Sequence, residues 1–186
     1  MIVAVFGSAG PREGSSDYTQ AYELGYALGR EGHTVMTGGY FGVMQAAAQG
    51  ALDGGGKTIG VTCADIDSWR PTGPNPFIQD HRSTPNLNAR LEVLVREADA
   101  FFALPGGIGT MGEIILALNL MAVNSMPVKP LIAIGSAWQK TFEAFFNACT
   151  AQIASKDKAL LVCAPDVPQA LAEFSKMIDR GKVWTK

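Results

Sequence analysis

Short apolar runs that end in glycine-rich turns and then give way to helical spacing repeat along this chain, and that rhythm admits few folds. Ile2 to Phe6 is wholly apolar and runs into GSAGPREGSS; Thr34 to Thr37 runs into TGGYFGVM; Ala100 to Leu104 runs into PGGIGTMGE. A strand without polar alternation is buried on both faces, which calls for a parallel sheet covered by helices on each side. Thr58 to Cys63, Leu131 to Ile134 and Ala159 to Cys163 read as further strands. Between the strands, Asp17 to Glu31 sets Tyr18, Ala21, Leu24 and Leu28 on one face before Gly32 stops it. Gly42 to Gly54, Asn86 to Glu97, Thr110 to Val123, Ala137 to Gln152 and Val167 to Ile178 carry helical spacing as well. The expectation is an α/β fold: a Rossmann-like, doubly wound parallel sheet of about six to seven strands with helices on both faces.

At 186 residues the chain fits one nucleotide-binding domain, residues 1–186. A hydrophobic fraction of 47% against 17% charged residues means that much apolar surface must be covered, by the core or by a partner subunit. The net charge of -2, without a Lys/Arg cluster, argues against nucleic acid as a partner. Cys63, Cys149 and Cys163 are widely spaced, which suggests neither a disulfide framework nor a metal site. Neither a signal-peptide pattern nor an apolar run of membrane-spanning length is legible, so the expectation is a cytoplasmic protein with no membrane partner. Residues 64–85, rich in Pro, Asp, Asn and Gly, read as one long connection that could serve as a lid or binding loop.

In an open α/β sheet, ligands bind at the carboxyl ends of the strands where strand order reverses, here expected between the first strand and the run Ala100 to Leu104. The turns at Gly7 and Ser8 and at Gly106, Gly107 and Gly109 would then flank the crevice. Their backbone N–H groups, aided by a following helix N-terminus, suit an anion such as phosphate. Four glycines between Gly106 and Gly112 cost conformational entropy that a plain connection does not require. GxGxxG opening the first helix and GxxxxGK[ST] are both absent, which disfavours a conventional NAD dehydrogenase and a P-loop NTPase.

PGGIGTMGE resembles the PGGxGTxxE signature of the "lonely guy" family of nucleoside 5'-monophosphate phosphoribohydrolases, often labelled lysine decarboxylase-like, through Pro105, Gly106, Gly107, Gly109, Thr110 and Glu113. TGGYFGVMQ is similar to that family's GGGxxGLMG, keeping Gly38, Gly39, Gly42 and Met44 but carrying Thr37 and Gln45 at its outer glycines. Of the family's Arg-Lys pair, Arg90 is kept and Leu91 stands where the lysine would be. Gly112 replaces a second glutamate, and Gly7-Ser8 resembles the first-strand Gly-Ser. Related Rossmann proteins described as molybdenum-cofactor carriers share the GGxxGVM loop and bind without hydrolysis. The resemblance therefore implies cleavage of the N-glycosidic bond of a nucleoside 5'-monophosphate, of the AMP or cytokinin riboside type, to free base and ribose 5-phosphate. Its alternative is a non-catalytic nucleotide or molybdenum-cofactor carrier. Homodimers are implied too, in agreement with the apolar segments around Leu116, Leu118, Leu120, Met121, Phe142, Phe145 and Phe146.

On this reading Glu113 carries the chemistry, Arg90 orients the substrate, and Gly7, Ser8, Gly38, Gly39, Gly42, Met44, Gly106, Gly107, Gly109 and Thr110 hold nucleotide and phosphate, with no metal and no cofactor. A carboxylate beside the sugar can stabilise an oxocarbenium-like state or prepare the attacking water. Thr110-Met111-Gly112-Glu113 also spells a capping box, in which the same carboxylate returns to the helix N-terminus. Arg90 could meet a phosphate or Glu113, or snorkel to Glu97. Asp80, His81 and Arg82 could contact phosphate or stay solvated, and Tyr40 and Phe41 could stack on a base or pack. Lysine decarboxylation is rejected, because no Schiff-base lysine with a phosphate cup is legible.

Overall fold

The computed structural model of the chain describes residues 1–181. Seven parallel strands form one sheet: β1 (Ile2–Phe6), β2 (Thr34–Thr37), β3 (Lys57–Cys63), β4 (Asp80–Thr84), β5 (Ala100–Ala103), β6 (Leu131–Ile134) and β7 (Val162–Ala164). Their order is β4-β3-β2-β1-β5-β6-β7. Val3 thus pairs with Val35 on one side and Ala100 on the other. The chain winds outward from β1 to β4, then returns to β5 and winds the other way. The reversal lies between β1 and β5, and it opens the expected crevice at their carboxyl ends.

Alternation along the strands feeds two cores. Val3, Val5, Val35, Phe102 and Ile132 face α1 (Ser16–Arg30), α2 (Val43–Asp53) and α8 (Val167–Gly181). Ala4, Phe6, Met36, Phe101 and Leu131 face α4 (Leu87–Arg96), α5 (Ile108–Ala122) and α6 (Ser136–Ala148). A period of two on strands buried on both faces is what fills both layers.

Two departures from the sequence expectation matter for function. Residues 64–85 are not one loop: they contain the helix α3 (Ala64–Trp69) and the edge strand β4. DHRST is polar because, among the described residues, β4 pairs only with β3, so its exposed residues carry no apolar pattern to read. At the other edge β7 starts later than expected. Ser155–Lys158 forms the short helix α7, and the amides of Leu160 and Leu161 bond back to Asp157 and Lys158. The apolar run from Ala159 therefore includes residues that enter the core from a turn.

Candidate functional site

The crevice holds a cavity of about 600 Å³, walled by the ends of β1 and β2, the turn after β1, the first turn of α5, and α3. Helix α5 begins at Ile108 with Gly107 as its cap, two residues before the expected start. The first helical bond runs from the Met111 amide to the Gly107 carbonyl at 3.0 Å. The amides of Ile108, Gly109 and Thr110 thus precede the helical ladder, at the positive end of the helix dipole. A Cβ at Gly107 or Gly109 would meet nothing within 4 Å, so both glycines leave bare backbone beside the cavity. Gly106 instead faces a second cavity of about 450 Å³, and a Cβ there would strike the Thr110 side chain.

Two amides of the turn after β1 already have protein partners. Ser8 N–H donates to the Pro105 carbonyl at 3.2 Å, and Gly10 N–H to Ser8 Oγ at 3.1 Å. Ser8 O in turn accepts from the Val43 amide at 2.9 Å, which locks this turn to the start of α2. Gly7 and Ser8 do line the cavity, and a Cβ at Gly7 would strike Val43.

The second glycine motif serves shape. Gly38 and Met44 line the cavity, whereas Gly39 and Gly42 are not among the residues lining it. Gly42 has φ 69°, and a Cβ there would lie 2.6 Å from the Ser8 carbonyl oxygen. A Cβ at Gly38 would occupy the space of the Arg90 guanidinium. Glycine at position 38 is thus what admits Arg90 to the site.

Arg90 is buried, 6% exposed, and held on several sides. Nε donates to the Val61 carbonyl at 2.8 Å and Nη2 to the Gly38 carbonyl at 3.3 Å, while the guanidinium lies 5.6 Å from the Tyr40 ring centre. Nη1 stands 3.8 Å from Oε1 of Glu113, itself 7% exposed. Burial pushes the Glu113 carboxyl up to about 7, against the opposing pull of Arg90. The capping-box arrangement is absent: α5 has no side-chain cap, and Glu113 lies in the second turn, facing Arg90. A carboxyl with that proton affinity, next to an immobilised cation and free amides, can exchange a proton near neutral pH and balance a growing positive charge.

Sequence reasoning missed the wall formed by Ile66, Trp69 and Arg70. The signal was a lone Trp-Arg pair inside a polar, proline-rich stretch. Tyr40 anchors that wall, donating from its hydroxyl to Asp67 at 2.9 Å and accepting from the Cys63 amide at 3.1 Å. Its phenol is pushed up to about 12, chiefly by burial. Asp80, His81 and Arg82 do not line the cavity: Arg82 pairs with Asp80 and Glu97, and His81 meets Thr62 Oγ1 at 2.9 Å. Phe41 does not line it either. Among the described residues, no group of His, Cys, Asp and Glu has the arrangement of a metal site, and no helix is long and apolar enough to cross a membrane.

The chain is similar to proteins of two kinds. It is 31% identical over 176 residues to a probable cytokinin riboside 5'-monophosphate phosphoribohydrolase of Oryza sativa subsp. japonica, covering 92% of this chain and 75% of that one. It is 32% identical over 129 residues to the pyrimidine/purine nucleotide 5'-monophosphate nucleosidase of Escherichia coli strain K12, covering 64% of this chain but only 28% of that longer protein. Among solved structures, the molybdenum cofactor binding protein of Rippkaea orientalis superposes with a TM-score of 0.72 at 29% identity, covering 95% of this chain and 96% of that one. The resemblance carried by the glycine motifs is borne out: over residues 1–161 the chain matches the family model, and it belongs to the SLOG cluster4 family.

Proposed function

We propose that this protein is a phosphoribohydrolase that cleaves the N-glycosidic bond of a nucleoside 5'-monophosphate. The observation that carries the reading is the buried Glu113 carboxyl, raised to about 7, set 3.8 Å from Arg90 in a cavity that also receives the first amides of α5. The 5'-phosphate sits on the amides of Ile108, Gly109 and Thr110, which places the ribose toward Glu113. As the C1'–N bond breaks, the ionised carboxylate balances the positive charge growing on the sugar. Water then forms the new bond to C1', one of its protons passes to Glu113, and that proton leaves with the released base. Arg90 holds the carboxylate in place. The names of the Oryza sativa and Escherichia coli relatives support the same reaction class.

A non-catalytic carrier of a nucleotide or molybdenum cofactor is the second reading. It is favoured by the structural likeness to the Rippkaea orientalis protein and by Gly112, which offers no side chain where the lonely guy enzymes carry a second glutamate. Incubation with AMP and with isopentenyladenosine monophosphate, followed by chromatography of released base, separates the two. The enzyme reading expects release that Glu113→Gln abolishes while binding persists. Tight binding without release by the unmodified protein would sink it in favour of the carrier.

A further inference from the structure

The cavity wall that follows β3 lies three strand positions from α5, which follows β5, and its chemistry differs from that of the α5 amides. Trp69 lines it with 75% of its surface exposed, the most exposed large aromatic side chain at the site. The Arg70 guanidinium lies 4.8 Å from the Trp69 ring centre. No ion pair among the described residues involves Arg70. The carboxylates of α3 are engaged elsewhere and do not line the cavity: Asp65 accepts from the Leu87 amide at 2.8 Å, and Asp67 from Tyr40. The polar side-chain atoms of Trp69 and Arg70 are the indole N–H and the guanidinium N–H groups, all donors with no acceptor among them. The third member of the wall, Ile66, is apolar.

We propose that Trp69 and Arg70 form the base-recognition end of the cavity, and that it selects a 6-oxopurine over a 6-aminopurine. The inference rests on reading the cavity as a nucleoside 5'-monophosphate site. An indole face stacks on any planar base, and a bicyclic base offers it the larger contact. The selection comes from the edge. A 6-oxopurine presents two adjacent acceptors, O6 and N7, which match a guanidinium fork. A 6-aminopurine presents an amino donor in place of O6, so N–H would face N–H and lose a hydrogen bond on desolvation.

Calorimetric binding of GMP, AMP and ribose 5-phosphate to the full chain in a Glu113→Gln background tests this, alongside initial rates of base release by the unmodified protein. GMP should bind about tenfold more tightly than AMP, and Arg70→Ala should erase that ratio. Trp69→Leu should weaken both nucleotides about tenfold and leave ribose 5-phosphate unchanged. Both side chains are exposed, so folding is not at stake. Equal affinity for the two nucleotides, a ratio that survives Arg70→Ala, or an equal loss for ribose 5-phosphate in Trp69→Leu would each overturn the proposal. Preferential GMP binding without base release removes the phosphoribohydrolase reading and leaves this inference standing. Release from AMP and GMP with equal efficiency removes the inference alone, and binding of none of the three removes both.

Discussion

On the proposed phosphoribohydrolase reading, the two protonation states of Glu113 bear on both stability and rate. Its carboxyl binds a proton more tightly in the folded chain, about 7, than at its ordinary value of 4.5. The folded state therefore holds more proton on this group between those limits, so the contribution of Glu113 to stability is full below pH 4.5 and is lost as pH rises through about 7. Glu113→Gln should flatten that decline, read as Tm against pH from 4 to 8. If turnover runs through the ionised carboxylate, as proposed, the rate should climb through about pH 7, and removing Arg90 should move that limb upward because its pull on the carboxylate is lost. Two glycines make a complementary pair. Gly38→Ala pushes a methyl into the Arg90 guanidinium and should cost about 1–3 kcal/mol as well as activity. Gly107→Ala meets only open space at φ -99°, so it should hold its Tm and weaken phosphate binding instead. A Gly38→Ala protein with unaltered urea midpoint and rate would contradict this packing account. Sequence named both glycines as binding residues; it could not tell that one makes room for a side chain while the other leaves open space beside the cavity, because only the fold brings Arg90 of α4 to the end of β2.

The segment between β3 and α4 separates what was legible from what was not. Strands buried on both faces announced themselves through apolar runs, and the switch point followed from their order. Strand β4 did not, since an edge strand of Asp, His, Arg, Ser and Thr looks like a loop. Nor did its anchor. Asn75 is buried, and its side-chain amide donates to the carbonyls of Gly39 at 3.1 Å and Tyr40 at 2.7 Å, while its Oδ1 accepts from the Phe77 amide at 3.1 Å. This one side chain stitches the segment carrying Trp69 to the glycine motif after β2. Asn75→Ala would leave the Tyr40 carbonyl without its donor, while the Asn75 backbone amide still reaches the Gly39 carbonyl at 2.8 Å, at a cost of about 1–3 kcal/mol. Limited proteolysis should then cut within residues 64–79 well before the sheet opens, with urea unfolding showing the matching loss. An unchanged cleavage pattern would mean that the remaining tethers, Tyr40 to Asp67, the Asn75 amide to Gly39 and Thr58 to Phe77, hold the segment without this side chain.

At the scale of the whole molecule, the apolar side chains exposed on α5 call for a cover, and we propose a second copy of the chain. Ile108 is 93% exposed and Ile115 40% exposed on α5; Val123, just beyond its end, and Val128, in the turn that follows, are 63% and 67% exposed. Phe145 on α6 adds an exposed ring. The sequence showed that α5 and α6 were too apolar to be solvated all round, but the structure buries only one face of each: Ile114, Ala117 and Met121 on α5, Trp138 and Phe142 on α6. Isolated exposed apolar side chains are ordinary, whereas several on one helix and the turn after it support this reading. Because Ile108 belongs both to this surface and to the cavity wall, a partner seated there would also shield the first amides of α5 from water. Sedimentation at micromolar concentration should give twice the 19.7 kDa chain mass. Ile115→Arg, on the exposed face of α5 and outside the cavity, should shift it to monomer and reduce base release without altering the fold by circular dichroism. A protein that sediments as a monomer at full activity would show that α5 leaves its apolar face to water, and that each chain encloses its substrate unaided.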